Sequence, residues 1–459
     1  MQSTHQEKST LTGFDRLILL VRYLIISLYG CVLVYVYEIL SNWWEYFGFT
    51  YLLNNVTVAY VACLVAALPS LLMPIRSKNL LHFSSFVIYI LVFIPSMLVP
   101  VMQFSVGARH AIYLFSSTLI GASIFILLCR LPVRKLPRVS IDPSAFWIGF
   151  FIIYGGMTAI TLRAYWGDLS FSGLDNASVY EQRAIGGEIG ADALVRYSML
   201  FLANALNPFL IAYGLKHNKY LAMLGVVGEM LMFSAAALRY MLLLPFFIAG
   251  VYYLSDRKGE VSSLRFFGGV ASVAILFLPL MLSYNPTYGL TGSLLTLLYM
   301  RTLLISGMAF GVYDDFFSIF PHTYMSQSIF MRSFISYPYG DYSVGQAVGL
   351  YIAPTTEANV LELNANFIAT DAIASFGVGA IPLISAAAAL LLWLIARAVP
   401  EGRERVAIAA FVGFLISISN TSMLTGLLTG GGAIIAALLY LTPEAAPWRG
   451  RTVAQPTQF

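Results

Sequence analysis

Apolar windows of roughly 20 residues recur along the chain from Leu17 to Leu441, separated by short polar punctuation, and each can cross a hydrocarbon layer of about 30 Å. A backbone in lipid must satisfy its own polar groups, so these windows predict helices. The spans expected are 17–38, 51–74, 81–102, 109–129, 145–162, 195–214, 220–236, 240–255, 266–283, 373–396, 406–424 and 429–442. The fold class this predicts is an all-α polytopic membrane protein of about 12 transmembrane helices in a single integral membrane domain over 1–459. Two large loops, 163–194 and 284–372, interrupt the alternation. Part of the second is apolar: "SLLTLLYMRTLLISGMAFGVYDDFFSIF" suits the membrane, and "SQSIFMRSFISYPYGDY" suits an amphipathic stretch along its interface.

Composition agrees with the pattern. The chain is 59% hydrophobic and 10% charged, where a soluble domain carries about a quarter charged residues. No small-residue cleavage site follows the first apolar run, so no removable signal peptide is expected. Cys31, Cys63 and Cys129 all fall in apolar windows, which predicts neither a disulfide nor a metal cluster. Walker loops, strand-based GxGxxG and HExxH motifs are absent, and no cofactor is expected.

The placement of charge gives sidedness. With the N-terminus in the cytoplasm, cytoplasmic segments collect Lys8, Arg16, Arg76, Lys78, Arg130, Arg134, Lys135, Arg138, Lys216, Lys219, Arg257, Lys258, Arg265, Arg397, Arg403, Arg405, Arg449 and Arg451, as the positive-inside rule requires. The remaining basic residues are all arginines: Arg22, Arg109, Arg163, Arg183, Arg196, Arg239, Arg301 and Arg332. Arginine presents a planar fork that grips phosphate or carboxylate with paired hydrogen bonds. An outer face basic only through arginine points to an anionic ligand.

Arg239 sits inside the apolar run 220–254, whose flanks, Lys216 and Lys219 before and Arg257 and Lys258 after, are both basic. The run must therefore enter and return, with a tight turn at about 235–240. That puts Arg239 at the tip, near the outer headgroups, either as a lipid-phosphate anchor or as a ligand-binding group. Glu229, about 15 Å down the same leg, is too far to be its direct partner. It reads equally as a functional intramembrane acid or as a protonated structural one. In the first loop, Arg183 is either exposed or paired with Glu181 or Glu188. The second loop interleaves Arg301, Asp314, Asp315, His322, Arg332 and Asp371 with Tyr299, Tyr313, Tyr337, Tyr339 and Tyr342. Such rings suit sugar binding as well as an interfacial belt. Asp314, Asp315, His322 and Asp371 are candidate general bases, although Asp314-Asp315 also suits a helix cap. Asn364 and Asn366 suit sugar hydroxyls or a cap, and His110 reads as structural.

Taken together, "VYEQR", "YSMLFLANALNPFLIAYGLK", "FSAAALRYMLLLPF", "MRTLLISGMAFGVYDDFF" and "NANFIATDAIASFGVGAIP" resemble the Wzy-type O-antigen polymerases, oligosaccharide repeat-unit polymerases of the GT-C group. The matching stretches run over 180–247 and 301–382. One departure is that many members carry a Lys-Ser-like pair where this chain has Arg239-Tyr240. The resemblance implies a glycosyltransferase at the periplasmic face of the bacterial inner membrane, acting in polysaccharide and lipopolysaccharide biosynthesis. Donor and acceptor would be glycan units on undecaprenyl diphosphate, and a chain-length regulator protein would be a partner. Neither a nucleotide sugar nor a metal is implied. It also implies essential arginines in both loops: Arg183 in the first, and Arg301 or Arg332 in the second. With Arg239 these would take the charge that grows on the departing diphosphate. Arg239, Arg301, Arg183, Asp315 and His322 are thus the catalytic candidates, and Arg332, Asp314, Tyr313, Asn364, Asn366 and Asp371 the substrate-binding ones. The alternatives are an O-antigen ligase using the same donor and a lipid-linked oligosaccharide flippase. A transporter is expected to show internal repeats, and no repeat relates the halves of this chain.

Overall fold

In a computed structural model the described residues are mostly helical, with two antiparallel strands of two residues each, Arg76–Ser77 and Val261–Ser262. The structure describes residues 13–103, 108–170, 182, 186, 189, 190, 192–287, 289–328, 331–355 and 360–443, without the side chains of Ala108 and Arg239. Among the described residues, 10 helices are long and apolar enough to cross a membrane. Two shorter apolar helices, Val56–Leu72 and Tyr240–Leu254, accompany them. This is the multi-pass all-α class that the apolar periodicity predicts.

The segments rich in lysine and arginine bind one another and so lie at one face. Arg76 pairs in register with Ser262, joining the loops after residues 72 and 254. Lys135 donates to the Ala396 carbonyl and pairs with Glu404 at 3.4 Å. Arg397 returns to the Arg134 carbonyl, and Lys216 reaches that of Gly402. Arg403 donates to the carbonyls of Leu439, Thr442 and Pro443, and Arg405 to that of Tyr252. Helix C-termini leave carbonyls unpaired and carry partial negative charge, so cations here satisfy both needs. Arg22, grouped by sequence with the outer-face arginines, instead does the same at this face from inside the first helix, Gly13–Trp44. Fully buried, it donates to the carbonyls of Ser70, Met73 and Pro74 at 2.5, 3.0 and 2.9 Å, where the chain leaves its short second helical pass.

Two elements differ from the expected spans. The window 406–424 is not one helix. It forms Glu404–Ala410 and Val412–Ser417, breaks over 418–422, and resumes as Met423–Leu428. The break is built in: Ser422 accepts from Thr425 N–H at 3.1 Å, and buried Asp371 accepts from Met423 N–H at 2.7 Å. Donors freed at the new helix start are thereby satisfied. Conversely, Gly289–Ile319, expected within the second loop, is a helical run of 31 residues. Gly292 lies against the Asn285 carbonyl near its start, Tyr299 hydrogen-bonds the Ala274 carbonyl in its middle, and Asp314 pairs near its end with His110. His110 opens the helix Ala108–Leu128 at the face away from the basic loops.

Candidate functional site

The basic-flanked apolar run forms a hairpin. Lys219–Ala236 ascends, Ala237 turns in the left-handed region at φ 50°, Leu238 is extended, and Arg239–Leu254 descends. At 1.5 Å per residue the legs are about 27 and 24 Å long, so the tip lies at the face opposite the basic loops. Arg239 is the first residue of the second leg, where unpaired N–H groups add partial positive charge. The first loop touches this tip: Gln182 donates to the Asp168 and Ser234 carbonyls, and Gly186 lies against that of Ala235. Arg183, between them in sequence, lies outside the described residues.

Beside the tip is a cavity of about 480 Å³, within the range of small-molecule sites. The hairpin supplies Leu238, Tyr240, Leu243, Leu244 and Phe247 to its wall; the second loop supplies Thr296, Arg301, Thr302 and Asn364; the broken segment supplies residues from Gly413 to Gly430. Arg301 is thus brought together with the hairpin and Asn364 across long stretches of sequence. Its guanidinium lies 5.0 Å from the centroid of the Phe47 ring. Among the described lining residues Arg301 is the only charged one.

Two of the walls are π-helical. The stretches Leu202–Leu206 and Thr296–Leu304 each insert extra backbone into an otherwise α-helical run, a device common at functional sites because it re-aims side chains and frees a carbonyl. Thr302 donates to the carbonyl of Leu297, five residues back, at 2.7 Å. Asn204 accepts from Tyr240 hydroxyl at 2.9 Å and donates to the Thr429 carbonyl at 3.4 Å. That relay ties the hairpin to the broken segment. Gly431 allows the approach: at φ 81°, a Cβ there would stand 2.4 Å from the Asn204 carbonyl oxygen. Across the mouth, Trp44 donates to Tyr284 hydroxyl at 2.9 Å, which meets Thr296 hydroxyl at 2.7 Å.

The other candidates fall elsewhere. Asp314 bonds His110 Nε2 at 2.7 Å, so the histidine read as structural is the partner of a nominated acid. Asp315 accepts from Tyr351 hydroxyl at 2.6 Å, and Tyr313 donates to the Leu363 carbonyl at 3.0 Å. The His322 ring stacks on Phe317, its Nδ1 buried without a hydrogen-bond partner among the described residues. Arg332 donates to the Ser326 carbonyl at 3.3 Å and lies over the Tyr337 ring at 4.7 Å. Asn366 is occupied by the core: its amide donates to Ser96 and Ser306, and its oxygen accepts from Ala369 N–H. Burial pushes the carboxyl of Asp371 up to about 7, with the bonds from Met423 N–H and Thr370 opposing. None of these acids, and no histidine, is among the described residues that line the cavity. Sequence reading missed the hydroxyl-rich stretch "ISISNTSMLTGLLTGGG", whose signal was its unusual density of Ser, Thr and Asn within an apolar window.

No family model, no curated protein and no solved structure matches this chain.

Proposed function

We propose that this chain is a membrane glycosyltransferase of the Wzy-type polymerase kind. It joins oligosaccharide units carried on undecaprenyl diphosphate at the periplasmic face of the bacterial inner membrane. One observation carries the reading: a single cavity at the face away from the basic loops unites Arg301 with the tip of the hairpin that bears Arg239. Positive-inside sidedness makes that face the outer one.

In the proposed reaction a hydroxyl of the acceptor glycan attacks the anomeric carbon of the donor glycan. A glycosidic bond forms, the sugar–phosphate bond breaks, and the hydroxyl proton passes to the departing diphosphate or to water. Undecaprenyl diphosphate leaves with negative charge growing on it. Arg301 and Arg239 meet that charge. Arginine suits the role because it stays protonated when partly buried and presents paired donors to phosphate oxygens. A preorganised donor at a developing anion contributes about 10²–10³ in rate. The apolar hairpin wall suits the carrier chain, and the adjacent Asn364 side chain suits a hydroxylated glycan. With no carboxylate or histidine in the described lining, leaving-group stabilisation is the main catalytic contribution of the cavity.

A polymer-length assay tests this in a strain lacking the protein, complemented by Arg239→Ala or Arg239→Lys. The expected result is loss of long ladders with Ala and partial rescue with Lys. Full-length ladders from the Ala variant remove Arg239 from the mechanism.

A further inference from the structure

The two long walls of the cavity differ in chemistry. The hairpin side is formed by Leu238, Leu243, Leu244 and Phe247, with Tyr240 as its polar exception. The broken segment contributes Ser417, Ser419, Asn420, Thr421, Thr425 and Thr429 to the same lining. A carrier lipid alone would need only the first.

The hydrogen bonds on the polar wall define what it can accept. The hydroxyls of Ser417, Ser419 and Thr429 donate to the carbonyls of Phe414, Ile416 and Thr425 at 3.0, 2.6 and 2.9 Å. Each bond uses the one proton of the hydroxyl and leaves its oxygen able to act only as an acceptor toward a ligand. Thr425 hydroxyl accepts from Ser422 at 2.7 Å and retains its own proton as a donor. Among the described residues, the side chains of Asn420, Thr421 and Asn364 make no hydrogen bond with protein, and the two amides are exposed. An amide offers both donors and an acceptor. An occupant that displaced water from these groups without replacing its hydrogen bonds would lose about 1–3 kcal/mol per group, so the wall favours an occupant that makes hydrogen bonds. The polar wall carries no charge, whereas Arg301 stands on the second-loop side. The wall therefore suits a neutral polyhydroxyl group, and the arginine suits an anion attached to it.

We propose that Ser417–Thr429 is the subsite for the uncharged sugar ring next to the diphosphate, and that Asn420 and Thr425 select it. This inference rests on the polymerase reading and adds which residues hold the sugar. Ser417, Thr421, Thr425 and Thr429 recur at four-residue spacing and would share a face even in an unbroken helix; the break over 418–422 adds Ser419 to the same cavity. Asp371 and Ser422 hold the break open through the N–H groups of Met423 and Thr425.

The test compares binding of three probes to the full-length protein in lipid nanodiscs: undecaprenyl diphosphate, and the same carrier bearing either a neutral hexose or an N-acetylhexosamine. In the unaltered protein at least one sugar strengthens binding about tenfold. The double variant Asn420→Ala/Thr425→Val loses that gain, while its affinity for bare undecaprenyl diphosphate stays within about twofold. That unchanged affinity also shows that the variant is folded. A sugar gain that survives in the double variant, or is absent with both sugars in the unaltered protein, overturns the subsite. If bare undecaprenyl diphosphate fails to bind, or binds equally well to Arg301→Ala, the polymerase reading fails instead.

Discussion

The two faces of this molecule use the same residue type in opposite ways. At the basic face, Arg22, Arg397, Arg403 and Arg405 donate hydrogen bonds to main-chain carbonyls where helices end or turn. These arginines hold the chain together and orient it. At the other face, Arg301 lies in the wall of a cavity, flanked by an aromatic ring and by π-helical backbone. An arginine in an apolar segment is therefore not a functional signal by itself. What separates the two roles is position: the arginines of the basic face cap chain ends and turns, whereas Arg301 lines a cavity.

That contrast gives its strongest test in activity. Arg301→Ala is expected to lower polymerisation per folded molecule by about 10²–10³, as read by ladder length normalised to the folded fraction from a melting curve in nanodiscs. The reverse is expected of Arg22→Ala. It leaves buried carbonyls of Ser70, Met73 and Pro74 unpaired, and stability falls by about 3 kcal/mol, with activity per folded molecule preserved. If Arg22→Ala melts normally, or Arg301→Ala acts only by unfolding the protein, the distinction between the faces is lost.

Smaller effects sharpen the picture around the cavity. Tyr240→Phe removes the bond to Asn204 that ties the hairpin to the broken segment. A cost of about 1 kcal/mol is expected, with shortened ladders; an unchanged melting temperature would show that the relay is slack. The smallest effect is a pH slope. Folded Asp371 keeps its proton up to about 7, while the unfolded chain releases it near pH 4. The folded state therefore binds more protons between these values, and stability falls as pH rises from about 4 to about 7, then levels. Asp371→Asn keeps an acceptor for Met423 N–H and should flatten this portion of the melting profile.

The sequence made the frame legible for a physical reason. Basic residues flanking a short apolar run force it to return, and the turn expected at 235–240 corresponds to the left-handed Ala237 and extended Leu238. Length and hydropathy likewise carry the spans. They do not carry the elements that depend on contacts distant in sequence. His110 and Asp314, 204 positions apart, meet only through packing. Asn366, a sugar ligand by residue type, is consumed by Ser96 and Ser306. The π-helical stretches leave no periodic trace, because tertiary packing inserts the extra residue. The broken segment was masked by its apolar neighbours, although its Ser-Asn-Thr-Ser run and following glycines are local break signals. The site is thus less legible than the frame because it is assembled from the irregularities.

The most direct measurement is an experimental structure of the protein in lipid with undecaprenyl diphosphate bound. The account predicts phosphate oxygens within about 3 Å of the Arg301 guanidinium, with the isoprenoid chain along Leu238 to Phe247. Diphosphate bound instead among Arg138, Lys216 and Arg403 at the basic face, with the cavity beside the hairpin filled by protein or lipid tails, would contradict it.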